Sequence, residues 1–231
     1  MAFAQRGEIR VHSLAMTRAK IIVNDYYHPA KTMTTLLRPL QESSAYALSV
    51  SDAPNDGDTG SLADFDLLVL GAMGQLDPKS SDARWLTPQG EERIAEFVES
   101  GGGFLVLHSA LAGYPPVGPL RSVVRGHFTS HPKDHPEITV APVVTDHPIT
   151  ADIDSFTIVD EQYFVDVDRD ATTILAQARS AEHGTAAAVW AHDLGRGRVC
   201  VITPGHTDAV ASHRSMQRLV INAVDWLSRK T

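Results

Sequence analysis

Long apolar runs are missing from this 231-residue chain, and cysteine nearly so. No run approaches the roughly 20 residues that a helix needs to cross a bilayer. The single cysteine, Cys200, excludes an intramolecular disulfide and every zinc site built on two or four thiolates. That scarcity suits a reducing compartment, so a cytoplasmic location is expected. Basic clusters are lacking too. The 20 Lys and Arg are scattered among 28 Asp and Glu, and the formal charge is -8. A nucleic-acid footprint is therefore not expected, nor is a membrane partner. There is no internal repeat and no low-complexity segment. The first 18 residues carry Arg6, Arg10 and Arg18 but no apolar core of signal-peptide length. They are expected to be a loose extension before a single domain spanning residues 19–231.

What is present is an ordinary globular composition, 43% hydrophobic and 21% charged, with 11 histidines. Short apolar runs at 19–24 (AKIIVN), 66–70 (DLLVL) and 104–107 (FLVL) have the length and branching of strands buried on both faces. Residues 46–50 predict a weaker strand. Met33, Leu36, Leu37 and Leu40 recur at helical spacing, with Thr32 as the expected N-cap, and Thr87-Pro88 opens a second helix. The order β-α-β-β-α-β predicts an open, mostly parallel α/β sheet. Residues 51–60 read as loop. Residues 113–136, rich in proline and glycine, read as a long excursion with one short helix near 120–124. Strands are expected at 138–144, 156–159, 172–178, 186–191 and 198–203, with a hairpin turn at 194–197. A final helix carries Met216, Leu219, Val220, Ala223, Val224 and Leu227 on one face.

In such sheets ligands bind beyond the carboxyl ends of the strands. The residues there are Asn24, Asp25 and His28, then Gly71 to Gly74, then His108 and Ser109, and finally Gly205, His206 and Asp208. An imidazole at such a position can move a proton near neutral pH or ligate a metal. Ser109 lacks the G-x-S-x-G context of a hydrolase nucleophile. Asp160 and Glu161 follow the run at 156–159. Strand alternation puts only one of them toward the site, and Glu161 shares a face with Tyr163. His127, His131 and His135 lie four apart, but Pro132 and Pro136 rule out one continuous helix, which weakens a metal reading of the set. His127 or His131 alone remains a candidate to drop into the site. His147 is expected to build a turn, His183 and His213 to lie at the surface, and Cys200 to be a core residue.

Several segments together are similar to the ThuA-like, or trehalose-utilisation, family. They are 99–110 (ESGGGFLVLHSA), 126–131 (GHFTSH), 146–150 (DHPIT), 156–163 (FTIVDEQY) and 189–206 (VWAHDLGRGRVCVITPGH). The likeness runs from about residue 19 to 227. It implies a flavodoxin-like three-layer α/β sandwich of the class I glutamine-amidotransferase-like kind. In amidotransferases of that fold the turn after the fourth strand carries a nucleophilic cysteine, and a later His-x-Glu completes the triad. Here the turn carries His108 and Ser109, and the later piece is His206-x-Asp208, so glutamine hydrolysis by that route is excluded.

The resemblance further implies a small sugar-like ligand, disaccharide-derived or a keto-sugar. Isomerisation, elimination or hydrolysis would use His108, Glu161 and His206 as catalytic groups. Asn24, Tyr27, His28, Ser109, His131, Tyr163, His192 and Asp208 would line the substrate. Tyr26, Tyr27 and Trp190 offer aromatic faces for a sugar ring. A divalent metal such as zinc, held by His28, Glu161 and His206, fits this pattern, and no nucleotide cofactor is expected. The alternative is a non-catalytic metabolite-binding or regulatory module on the same scaffold. Self-association as a homo-oligomer is left open.

Overall fold

The computed structural model of the protein describes residues 16–53 and 59–229. The expected N-terminal extension lies outside the described residues apart from 16–18, and Thr17 and Arg18 already belong to the first strand. The middle of the loop expected at 51–60 also lies outside them.

Nine strands form one sheet in the order β2-β1-β3-β4-β11-β10-β9-β6-β7. Its first half is parallel: β2 (Tyr46–Asp52), β1 (Thr17–Val23), β3 (Leu67–Leu70), β4 (Gly103–Leu107) and β11 (Gly197–Ile202). The second half is antiparallel: β10 (Gly184–Leu194), β9 (Thr173–Ser180), β6 (Glu137–Pro142) and β7 (Phe156–Val159). β5 (Gly126–Ser130) and β8 (Phe164–Val167) pair separately as a two-stranded sheet.

The apolar strands bury both faces, and this creates two cores. Ile21, Val23, Val69, Leu105, Leu107 and Cys200 pack on one side. They meet α1 (Ala30–Leu36), α2 (Arg38–Gln41) and α6 (Arg214–Leu227). Ile22, Leu68, Phe104, Val106 and Val201 pack on the other side, against α3 (Pro88–Glu99) and α4 (Pro119–Val124). Helices on both faces of the parallel half make three layers, the expected α/β sandwich.

The first helix differs from expectation. It starts at Ala30 behind Pro29, whose φ of -61° suits a helix start, and no side chain caps it. Thr32 lies inside the first turn, buried, and its hydroxyl donates to Asp208 Oδ1 at 2.7 Å. Pro39 has no amide to continue the ladder, so the apolar stripe splits into α1 and α2. Thr87 does cap α3, accepting from Gly90 N at 3.1 Å.

The excursion at 113–136 holds α4 as expected, but also β5, and β8 was likewise not foreseen. These strands pair only with each other, and a run such as GHFTS has no apolar period. Gly126 lets β5 lie against Trp190, since a Cβ there would come within 2.6 Å of the indole Cζ2. Of the described histidines outside the cluster, His147 caps a single 3-10 turn at Pro148–Thr150, and His213 caps α6. Cys200 is fully buried in the core.

Candidate metal centre

β1, β3, β4 and β11 end at one rim, as their register shows: Ile22 faces Leu70, and Ile202 faces Leu107. The chain leaves β1 to build β2 on one side and β3 on the other. That is the topological switch point at which open α/β sheets place their ligands. Four side chains from this rim converge.

His28 comes from the loop after β1. Asp25 sets the loop: its Oδ1 accepts from the amides of Tyr27 and His28, both at 2.9 Å, and its Oδ2 from Met73 N at 2.7 Å. The same Oδ1 lies 2.7 Å from His28 Nδ1. A carboxylate only accepts, so the imidazole proton is assigned to Nδ1, and Nε2 presents its lone pair. That Nε2 lies 3.1 Å from His206 Nδ1.

His108 opens the 3-10 turn His108–Leu111 directly after β4, with a φ of 43°, rare for a residue with a Cβ. Its Nδ1 lies 2.7 Å from the Thr203 carbonyl, which again fixes the proton on Nδ1. Its Nε2 is buried without a hydrogen-bond partner and stands 3.4 Å from Glu161 Oε2.

His206 follows β11. Asp160, fully buried, grips the loop by accepting from Gly205 N at 2.7 Å and His206 N at 3.0 Å. Glu161 Oε2 lies 3.3 Å from His206 Nδ1.

One ligand atom each from His28, His108, Glu161 and His206 lies within 4.8 Å of all the others. Two of these are imidazole lone pairs whose protons are committed elsewhere, and one is a carboxylate. Like electron pairs held face to face in a buried place are relieved by a cation between them, either a proton or a metal ion. The donor set, three imidazoles and a carboxylate with partners behind them, therefore fits a metal ion.

The titration behaviour follows from the same contacts. Burial works against the Glu161 charge, but His108 and His206 outweigh it and hold the carboxyl well below the usual range. Glu161 in turn raises His206 against the opposing effect of burial. Burial lowers His28 although Asp25 supports its charge. Burial also raises Asp160, against the nearby His108 and the two amide bonds.

Other expected site residues take varied places. Tyr163 is buried and stacks on His108 with ring centroids 4.3 Å apart. His131 stacks beyond it at 5.9 Å, and its Nδ1 lies 3.9 Å from Glu161 Oε1. Ser109 is buried beside the Asp25 carboxylate, its hydroxyl without a hydrogen bond of ordinary geometry. Tyr27 is exposed at the rim. Asn24, with a φ of 70°, accepts from Ala30 N at 3.4 Å and shapes the His28 loop. Asp208 pairs with Thr32 and Lys31 at the start of α5 (Asp208–Ala211), outside the cluster.

Four expectations need correction. His192 does not join the cluster. It pairs with Val199, three residues back from the rim, and its Nε2 lies 2.9 Å from the Val123 carbonyl. Trp190 cannot present a face to a ligand, because it is fully buried and donates to Val124 O at 3.0 Å. Asp160 and Glu161 both serve the site, because β7 ends at Val159 and strand alternation stops there. His135, set aside for its neighbouring prolines, does reach the cluster: its Nε2 lies 3.7 Å from Glu161 Oε1. No helix is needed to bring it there.

The sandwich is of the class I glutamine-amidotransferase-like kind, and the turn after β4 carries His108 and Ser109 and no cysteine. The chain belongs to the ThuA family, trehalose utilisation, whose model matches residues 20–227. No curated protein matches it significantly. Solved structures support the fold. A ThuA-like protein from Parabacteroides merdae superposes with a TM-score of 0.73 at 16% identity, covering 94% of this chain and 91% of that one. A cytoplasmic protein from Salmonella typhimurium gives 0.65 at 14%, covering 92% and 99%. The β-galactosidase of Rahnella sp. R3 gives 0.64 at 16%, with 91% of this chain matching 31% of that enzyme. Among the described residues no helix is long and apolar enough to cross a membrane.

Proposed function

We propose that the protein is an enzyme of sugar metabolism that isomerises, eliminates from or hydrolyses a disaccharide-derived or keto-sugar substrate. Zinc, or another divalent ion that favours imidazole, would be held by His28, His108, Glu161 and His206. The family supplies the carbohydrate. The observation that carries the metal is the His108 Nε2 lone pair, buried, unpartnered and facing the other donors. When bound, such an ion acts as a Lewis acid on a carbonyl or hydroxyl oxygen.

The chain's own residues supply the rest. Asp25 and the Thr203 carbonyl lock the tautomers of His28 and His108. Asp160 holds the backbone that presents His206. His131 and His135, both partly exposed, face the second oxygen of Glu161 and would be the acid–base groups nearest the ion, with His131 Nδ1 also 2.6 Å from the Pro132 carbonyl.

The test is elemental mass spectrometry on untagged protein purified without chelators. About one divalent ion per chain is expected on four-ligand grounds, with its loss in His28→Ala and in His206→Ala. A metal-free wild type that also fails to take up zinc sinks the metal part of this reading.

A further inference from the structure

Tyr26 and Tyr27 are the only exposed tyrosine, tryptophan or phenylalanine side chains among the described residues, each 46% exposed. Leaving aromatic surface in water forgoes burial energy of about 25 cal/mol per Å², so the pair does not serve the core. Their rings meet edge to face at 4.8 Å, and the Lys79 ammonium sits 5.3 Å and 5.9 Å from the two centroids. The loop that carries them is held firmly, since Asp25 Oδ1 accepts from the Tyr27 amide. The next residue is His28, whose ring centroid is 6.4 Å from that of Tyr27.

We infer that Tyr26, Tyr27 and Lys79 form a second subsite, which takes the sugar ring adjoining the one held at the His28 cluster. This inference rests on the carbohydrate reading above and adds that the preferred ligand has two rings. A pyranose has an apolar C–H face and a hydroxyl rim. Tyrosine offers an apolar face with a polar tip, and the ammonium offers three donors to hydroxyls. One ammonium already drawn onto two ring faces is a poor anion site, which argues against a phosphate or carboxylate ligand. The fixed loop spares the ligand the entropy of ordering its partner.

Titration calorimetry of zinc-loaded protein with trehalose and with glucose tests this. Wild type is expected to bind trehalose about tenfold more tightly, in line with one aromatic contact beyond the shared ring. Tyr26→Ala/Tyr27→Ala should erase that preference while leaving glucose affinity, zinc content and circular dichroism unchanged. Equal affinities in wild type, or a preference that survives in the double variant, overturn the subsite and leave the sugar reading standing. If neither sugar binds wild type, the two-ring subsite is overturned, and the carbohydrate reading falls as well only if the keto derivative of trehalose also fails to bind.

Discussion

At the scale of single residues, the side chains that orient the candidate ligands matter as much as the ligands themselves. Asp25 is the clearest case. It holds the His28 ring by Nδ1 and its loop by three amides. Removing such a partner lowers metal affinity by about 10–100-fold in comparable sites. Asp25→Asn is therefore expected to weaken zinc binding by that order in a chelator competition, with the fold intact. Unchanged affinity would mean that His28 is not oriented by it. His28, His108 and His206 are legible in the sequence because each follows a buried apolar run. Glu161 is legible for its neighbour Tyr163. The tautomer-fixing role of Asp25 is not, because a carboxylate three residues before a histidine looks the same in any polar loop. Asp160 is misread for a different reason: the period-two rule holds only while the strand lasts, and the strand ends one residue earlier.

At the scale of elements, the parallel half is readable because strands buried on both faces need uninterrupted apolar runs. The small β5–β8 ribbon is not, since its residues are half-buried and its partner is distant in sequence. A second link between elements is His192, which ties β10 to α4 through the Val123 carbonyl. Burial pushes its pKa down to about 4. The unfolded chain, with an ordinary imidazole near 6.5, takes up the proton first as pH falls. The stability that His192 contributes is thus complete above about pH 6.5 and is lost toward pH 4. Between pH 7 and 5 the wild type should lose up to about 2 kcal/mol more than His192→Gln in urea unfolding. Parallel pH profiles for the two proteins would contradict this.

At the scale of the whole molecule, the sheet carries two cores, and the cluster sits where its strands end. An ion that binds only the assembled cluster stabilises the native state. At about 100 times its dissociation constant the gain is about 2.7 kcal/mol. For a chain of this size that raises the melting temperature by about 5–10 °C. Zinc should produce this rise in wild type and not in His206→Ala, measured by scanning calorimetry. A rise of equal size in the variant would place the ion elsewhere.

His28 and His206 touch although 178 positions separate them. During synthesis the first is made long before the last, and the chain emerges at about 5–20 residues per second. A nascent chain therefore carries His28 and His108 for some time without the partner that completes their ring of donors. The full set of four donors is not yet available at that stage. On the metal reading, loading would await the finished chain, and a truncated product that stops short of β11 would lack His206.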